Sequence, residues 1–172
     1  MDHDSLYETD ICTWAEQQAA ALRSLASRSD LPNALDLENV VEEIESVGRG
    51  YLIEIRAAIQ QVLTQAILLA ADPNSSDAPN WSDLAITRHA DLVQHYQKGA
   101  RGRIDMEHLW RRAAGVSLQR LGAFRRDAPT ELVRARLNVS CPVSVDEICD
   151  QNFEFRTVIA RVQQFFAAQV PA

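Results

Sequence analysis

Glycine and proline are scarce in this chain, six of each in 172 residues, and runs of β-branched residues alternating with polar ones are missing. Strands need that period of two and frequent turn formers between them, so a sandwich, barrel or open sheet is excluded. Cysteine is sparse as well. Cys12, Cys141 and Cys149 make an odd number without a CxxC pair, which excludes a disulfide framework and zinc-knuckle spacing. No uninterrupted apolar run approaches the roughly 20 residues of a membrane span, so no membrane association is expected. The opening residues MDHDSLYETD lack the basic start and apolar stretch of a secretory signal, and the expected compartment is the cytoplasm. Chemistry-bearing motifs are missing too: there is no GxSxG elbow, no GKS loop, and no histidine in evident register with Ser117.

What remains is helical periodicity. After Ser5 and Glu8, spaced as a capping box, and Asp10, a second candidate cap, Ile11, Trp14, Gln18, Leu22 and Leu25 recur every three or four positions. This predicts an amphipathic helix to about Ser27. A second helix is expected from Asp36 to about Ala71, its apolar stripe unbroken across Gly48 and Gly50. The two glycines then mark either close packing or a bend. Further helices are expected at 81–98 and 104–124, short ones at 130–138 and 144–150, and a last one carrying Phe155, Val158, Ile159, Val162, Phe165 and Phe166. The fold class is all-α, a bundle of about four long antiparallel helices plus short C-terminal helices. Residues 1–172 form one domain in this reading, since a chain of this length can bury a core of its own.

Charge is unevenly placed. Residues 1–54 carry twelve acidic and three basic side chains, and residues 98–136 carry ten basic and four acidic ones. The acidic side concentrates in the second helix, where Glu38, Glu42 and Glu45 flank the apolar stripe as an edge able to hold a cation. Arg88 and His95, seven residues apart, fall on the expected inner stripe of the third long helix, and a charge pointing inward needs a partner. The natural partner in this reading is a carboxylate of the Glu42 and Glu45 edge. Glu38, Glu42, Glu45, Arg88 and His95 are therefore the candidate binding residues.

Three blocks carry a family resemblance: YETDICTWAEQQAAALR at 7–23, LDLENVVEEIESVGR at 35–49 and CPVSVDEICDQNF at 141–153. In that order they resemble the bacterial family known as domain of unknown function 29. The family-like part spans about 7–153, and residues 154–170 form a helical extension. SRSDLPNA lengthens the first connection relative to the family, and the middle, around 65–100, matches it poorly. The resemblance implies a small helical bacterial protein and implies no reaction.

The functional expectation is a cytoplasmic binding or regulatory module acting through protein contacts, with a protein partner or a second copy of itself. An enzyme dependent on a metal or small molecule at the acidic edge is the first alternative, and nucleic-acid contact through the basic 98–136 region is the second. Neither is favoured. Asp105-Met-Glu-His108 lacks the second copy a di-iron bundle requires, and Asp91 with His95 lacks a third ligand. The arginines of 98–136 spread over several faces without interleaved aromatics. No residue is assigned a catalytic or metal-binding role, and no cofactor is expected.

Overall fold

Asp10 decides how the chain begins. The computed structural model describes residues 3–28, 30–32, 34–124 and 140–167, and in it the N-terminal amphipathic stretch is two helices, α1 (His3–Thr9) and α2 (Ile11–Leu25). Asp10 stands between them. Its Oδ1 accepts the Thr13 N–H at 3.0 Å and its Oδ2 accepts the Thr13 hydroxyl at 2.6 Å. A carboxylate there satisfies an orphan donor and meets the positive end of α2, which is why the break falls at Asp10, while Ser5 lies inside α1.

Asp36 does the same for α3 (Leu37–Ala71), accepting the Asn39 N–H at 3.2 Å. This helix runs unbroken for 35 residues, a length of about 52 Å. Of its two glycines, Gly48 is the packing one. A β-carbon there would come within 3.3 Å of the Cys12 α-carbon and 3.5 Å of the Ala15 β-carbon, whereas nothing lies within 4 Å of one built at Gly50. The Cys12 thiol donates to the Gly48 carbonyl at 3.6 Å across the same crossing.

Downstream come α4 (Ala78–His95), beginning three residues before the expected Trp81, a 3-10 turn (Lys98–Arg103) and α5 (Met106–Phe124). Asp105 caps α5 through the His108 N–H at 2.9 Å. The short helix α6 (Val145–Ile148) is closed by a capping box in which Ser144 and Glu147 satisfy each other's backbone N–H groups. The last helix is α7 (Phe155–Ala167). The short helix expected at 130–138 lies outside the described residues. Among the described residues there is no strand, so the protein is all-α.

The chain groups into two compact units, one of residues 1–55 with 96–104, the other of 56–95 with 105–172. In the first, small side chains of α2, Cys12, Ala15 and Ala19, are buried together with Val41 and Ile55 of α3. In the second, every residue of α3 from Val62 to Ala70 is buried. The most apolar 18 residues of α3 have a mean hydropathy of 1.3, enough to cross a membrane by length and composition, and 56% of them are buried inside the protein, as in a core helix.

The stripe on α7 finds its cover within the second unit. Val158 and Val162 are buried, and Phe165 meets Trp110 of α5 edge to face at 6.5 Å between ring centroids. The indole of Trp110, fully buried, supplies a large part of that cover. The side chain of Phe166 is outside the described set.

Candidate functional site

The acidic edge of α3 borders a cleft of about 720 Å³ in the first unit. Leu37 and Val41 of α3, Ala26 at the end of α2 and Leu31 in the connection give it an apolar lining. Glu38, Glu42 and Glu45 face it from α3, one helical turn or less apart, and Arg23 and Arg49 complete it. Glu45 is committed: it lies 2.7 Å from Arg23 and 3.9 Å from Arg49. Glu38 and Glu42 are exposed, and among the described residues neither has an ion pair or hydrogen bond. The cleft thus combines two uncommitted carboxylates, an Arg23–Glu45–Arg49 cluster that keeps one positive charge, and an apolar lining.

Arg88 and His95 do not point inward as the sequence pattern suggested. Arg88 is 44% exposed and lies 3.4 Å from Asp91 on its own helix. His95, also exposed, has Nδ1 at 2.8 Å from the Asp91 carbonyl oxygen. The buried residues of α4 are Ala85 and Leu92, and at 100° per residue Arg88 sits about 60° from the first and His95 about 60° from the second. The half-buried histidine is His89. Its ring stacks on Phe153 at 4.7 Å between centroids, and burial holds its pKa below the usual value, partly offset by the backbone of Ile148 and Asp150 and by the Asp150 charge. The signal was available, since His89 lies four residues after Ala85 and three before Leu92. Of the two partners expected for Arg88, Glu45 is instead held by Arg23 and Arg49, and Glu42 has no ion pair among the described residues.

A polar junction ties the 3-10 turn to the start of α2. Gln97 Oε1 accepts the Ile11 N–H at 2.6 Å, and the Gln97 N–H donates to the Tyr51 hydroxyl at 2.7 Å. Arg103 grips Glu16 through two hydrogen bonds of 2.7 and 2.8 Å and also reaches the Thr13 hydroxyl at 3.3 Å. The Arg103 hydrogen bond holds the Glu16 carboxyl below its ordinary range. Gly99 is required here, because a β-carbon would collide with the Asp10 carboxyl group. The sequence GARGR therefore belongs to an intramolecular junction, and Arg103, one of the basic residues of 98–136, is spent on the acidic first third.

Other reactive groups are placed for structure. Burial pushes the Cys141 thiol up to about 11 and the Cys149 thiol up to about 12, keeping both protonated near neutrality. Ser117 is fully buried, its hydroxyl shared between the carbonyls of Ala113 at 2.9 Å and Thr64 at 3.3 Å. Among the described residues no three His, Cys, Asp or Glu side chains converge as a metal site. A second cavity, about 500 Å³, lies in the second unit beside α6 and α7. One wall of it is the Glu147–Arg161 pair at 2.9 Å, and the Ser144 backbone N–H, followed by Arg161, holds the Glu147 carboxyl low.

Fold and cleft together define an all-α protein with a mixed-charge surface cleft. The chain belongs to the family described as Domain of unknown function DUF29, whose model matches residues 6–154, in line with the resemblance read over 7–153. It is also similar to a crystal structure described as an alpha-helical protein of unknown function, from Rhodospirillum rubrum. That protein is 31% identical, and the match covers 90% of this chain and 96% of that one at a TM-score of 0.76. No curated protein matches. The helix α7 begins where the family match ends.

Proposed function

We propose that the protein is a binding module of the bacterial cytoplasm, acting through non-covalent contacts at the cleft between the end of α2 and the first turns of α3. One observation carries this reading: Glu38 and Glu42 stand uncommitted beside the apolar floor of Leu31, Leu37 and Val41. Binding sites of this size are mostly apolar with a few polar groups that set orientation. The cleft has both, with four apolar and five charged side chains, and among the described residues lining it there is no nucleophile paired with a base. Carboxylates at the rim favour cations and oppose phosphates.

The test is a titration of isotope-labelled protein with small solutes, followed by amide NMR. Butylguanidinium is expected to shift the amides of Leu31, Leu37 and Val41 selectively, and inorganic phosphate is expected to leave them unmoved. Shifts scattered over the surface, or none at the cleft with butylguanidinium, would overturn the proposal.

A further inference from the structure

The occupant of this cleft can be narrowed by its geometry and charge, an inference that rests on the cleft being the recognition site. Extended peptides bind folded domains by adding a strand to a sheet edge, and among the described residues there is no strand. Proline-rich segments need grooves lined by aromatics, and the described residues lining this cleft include none. Acidic and phosphorylated segments need arginines in excess of local carboxylates, whereas here Arg23 and Arg49 share the cleft with Glu38, Glu42 and Glu45. Helix-in-groove docking is the mode whose dimensions the cleft suits. From Leu37 to Arg49 it follows α3 for about 18 Å, slightly more than three helical turns.

Its charge pattern is equally specific. Glu38 and Glu42 are four residues apart, so their β-carbons are about 5–6 Å from each other along the helix. Two cations one turn apart on a facing helix would match that spacing.

We propose that the cleft receives an amphipathic helix of a partner protein, with apolar side chains seated on Leu31, Leu37 and Val41 and arginine or lysine side chains one turn apart on Glu38 and Glu42. The free carboxylates select the charge of the partner, and the Arg23–Glu45–Arg49 cluster closes the far end against further cations. Exposed ion pairs are individually weak, so the apolar floor supplies affinity and the glutamates supply discrimination.

The experiment uses the full chain and three synthetic helical peptides of about four turns each. One carries a leucine stripe flanked by arginines one turn apart, the second has glutamates in their place, and the third has glutamines. Binding is read by fluorescence anisotropy and by amide shifts, for the natural protein and for the variant Glu38→Gln with Glu42→Gln, whose folding is checked by its thermal melt. The arginine peptide is expected to bind at the cleft, about tenfold more tightly than the glutamine peptide and with little binding of the glutamate one. The double variant is expected to remove that preference, and added salt to weaken it in the natural protein alone. Equal affinity for all three peptides, or an arginine preference that survives in the double variant, would overturn the inference. If butylguanidinium shifts the cleft amides and the arginine peptide does not bind, the helical partner fails and the binding site stands. If neither probe shifts them, both fail.

Discussion

Alanine placed at Gly48 and at Gly50 should move stability in opposite directions. Both positions lie inside α3, where replacing glycine by alanine is worth about 0.8–1 kcal/mol through helix propensity alone. At Gly50 a β-carbon meets nothing within 4 Å, so the whole gain should appear, as a rise in melting temperature of about 2–4 °C for a chain of this size. At Gly48 the new methyl would stand 3.3 Å from the α-carbon of Cys12 and 3.5 Å from the Ala15 β-carbon. The first of these is main chain and cannot swing aside, so α2 must be displaced, and overpacking of that kind costs about 1–3 kcal/mol. Net of propensity, Gly48→Ala should be destabilising by up to about 2 kcal/mol. Urea titrations followed by far-ultraviolet circular dichroism measure both variants against the natural protein, with equal slopes required before midpoints are compared. Equal stabilisation by the two alanines would refute the close crossing of α2 over α3.

Two further predictions follow from the second unit. Truncation after Asn152 removes α7 and uncovers Trp110, so the shortened chain should be less stable or should aggregate, and a soluble monomer melting like the natural protein would overturn the packing of α7 on α5. Lowering the pH should weaken the fold through His89: its pKa is depressed in the folded protein, chiefly by burial, so the unfolded chain takes up the proton first and stability, complete above about pH 6.5, declines below it. His89→Gln should flatten that step in urea midpoints between pH 7 and 5, well above the region near 4.5 where Glu16 and Glu147, whose folded pKa values are lowered, lose their contributions on acidification. A step of equal size in the variant would remove His89 as its cause.

Local chemistry was legible in the sequence wherever a residue acts within its own turn. Asp10 and Asp36 announce their helices because a short oxygen-bearing side chain before an apolar period can do little else so well. The unbroken apolar stripe made Gly48 and Gly50 legible as glycines inside a helix, but not which of them packs, since that depends on where Cys12 of α2 crosses. The phase of α4 was not. Trp81, Arg88 and His95 recur every seven residues, and so do Ala85 and Leu92. These rows lie only some tens of degrees apart on a helix, and the choice between them depends on what the helix packs against. The acidic edge could be placed beside the core, but the partner of Glu45 could not: Arg23 lies on another helix, and no pattern in the sequence couples the two. Gln97 was invisible for the same reason, since its role depends on a backbone N–H 86 residues earlier.

That last contact has a bearing on synthesis. The donor at the start of α2 waits for an acceptor that emerges from the ribosome long after α2 itself, and the Glu16 carboxylate likewise waits for Arg103. The first unit is discontinuous, its second segment being 96–104, so its assembly is delayed until residues 56–95 have been made. At roughly 5–20 residues per second that interval is roughly 2–8 s, far longer than helix formation or collapse requires. During it, the Ile11 N–H and the Glu16 carboxylate are left to water, and the start of α2 is held to α3 without the polar junction that later fixes it.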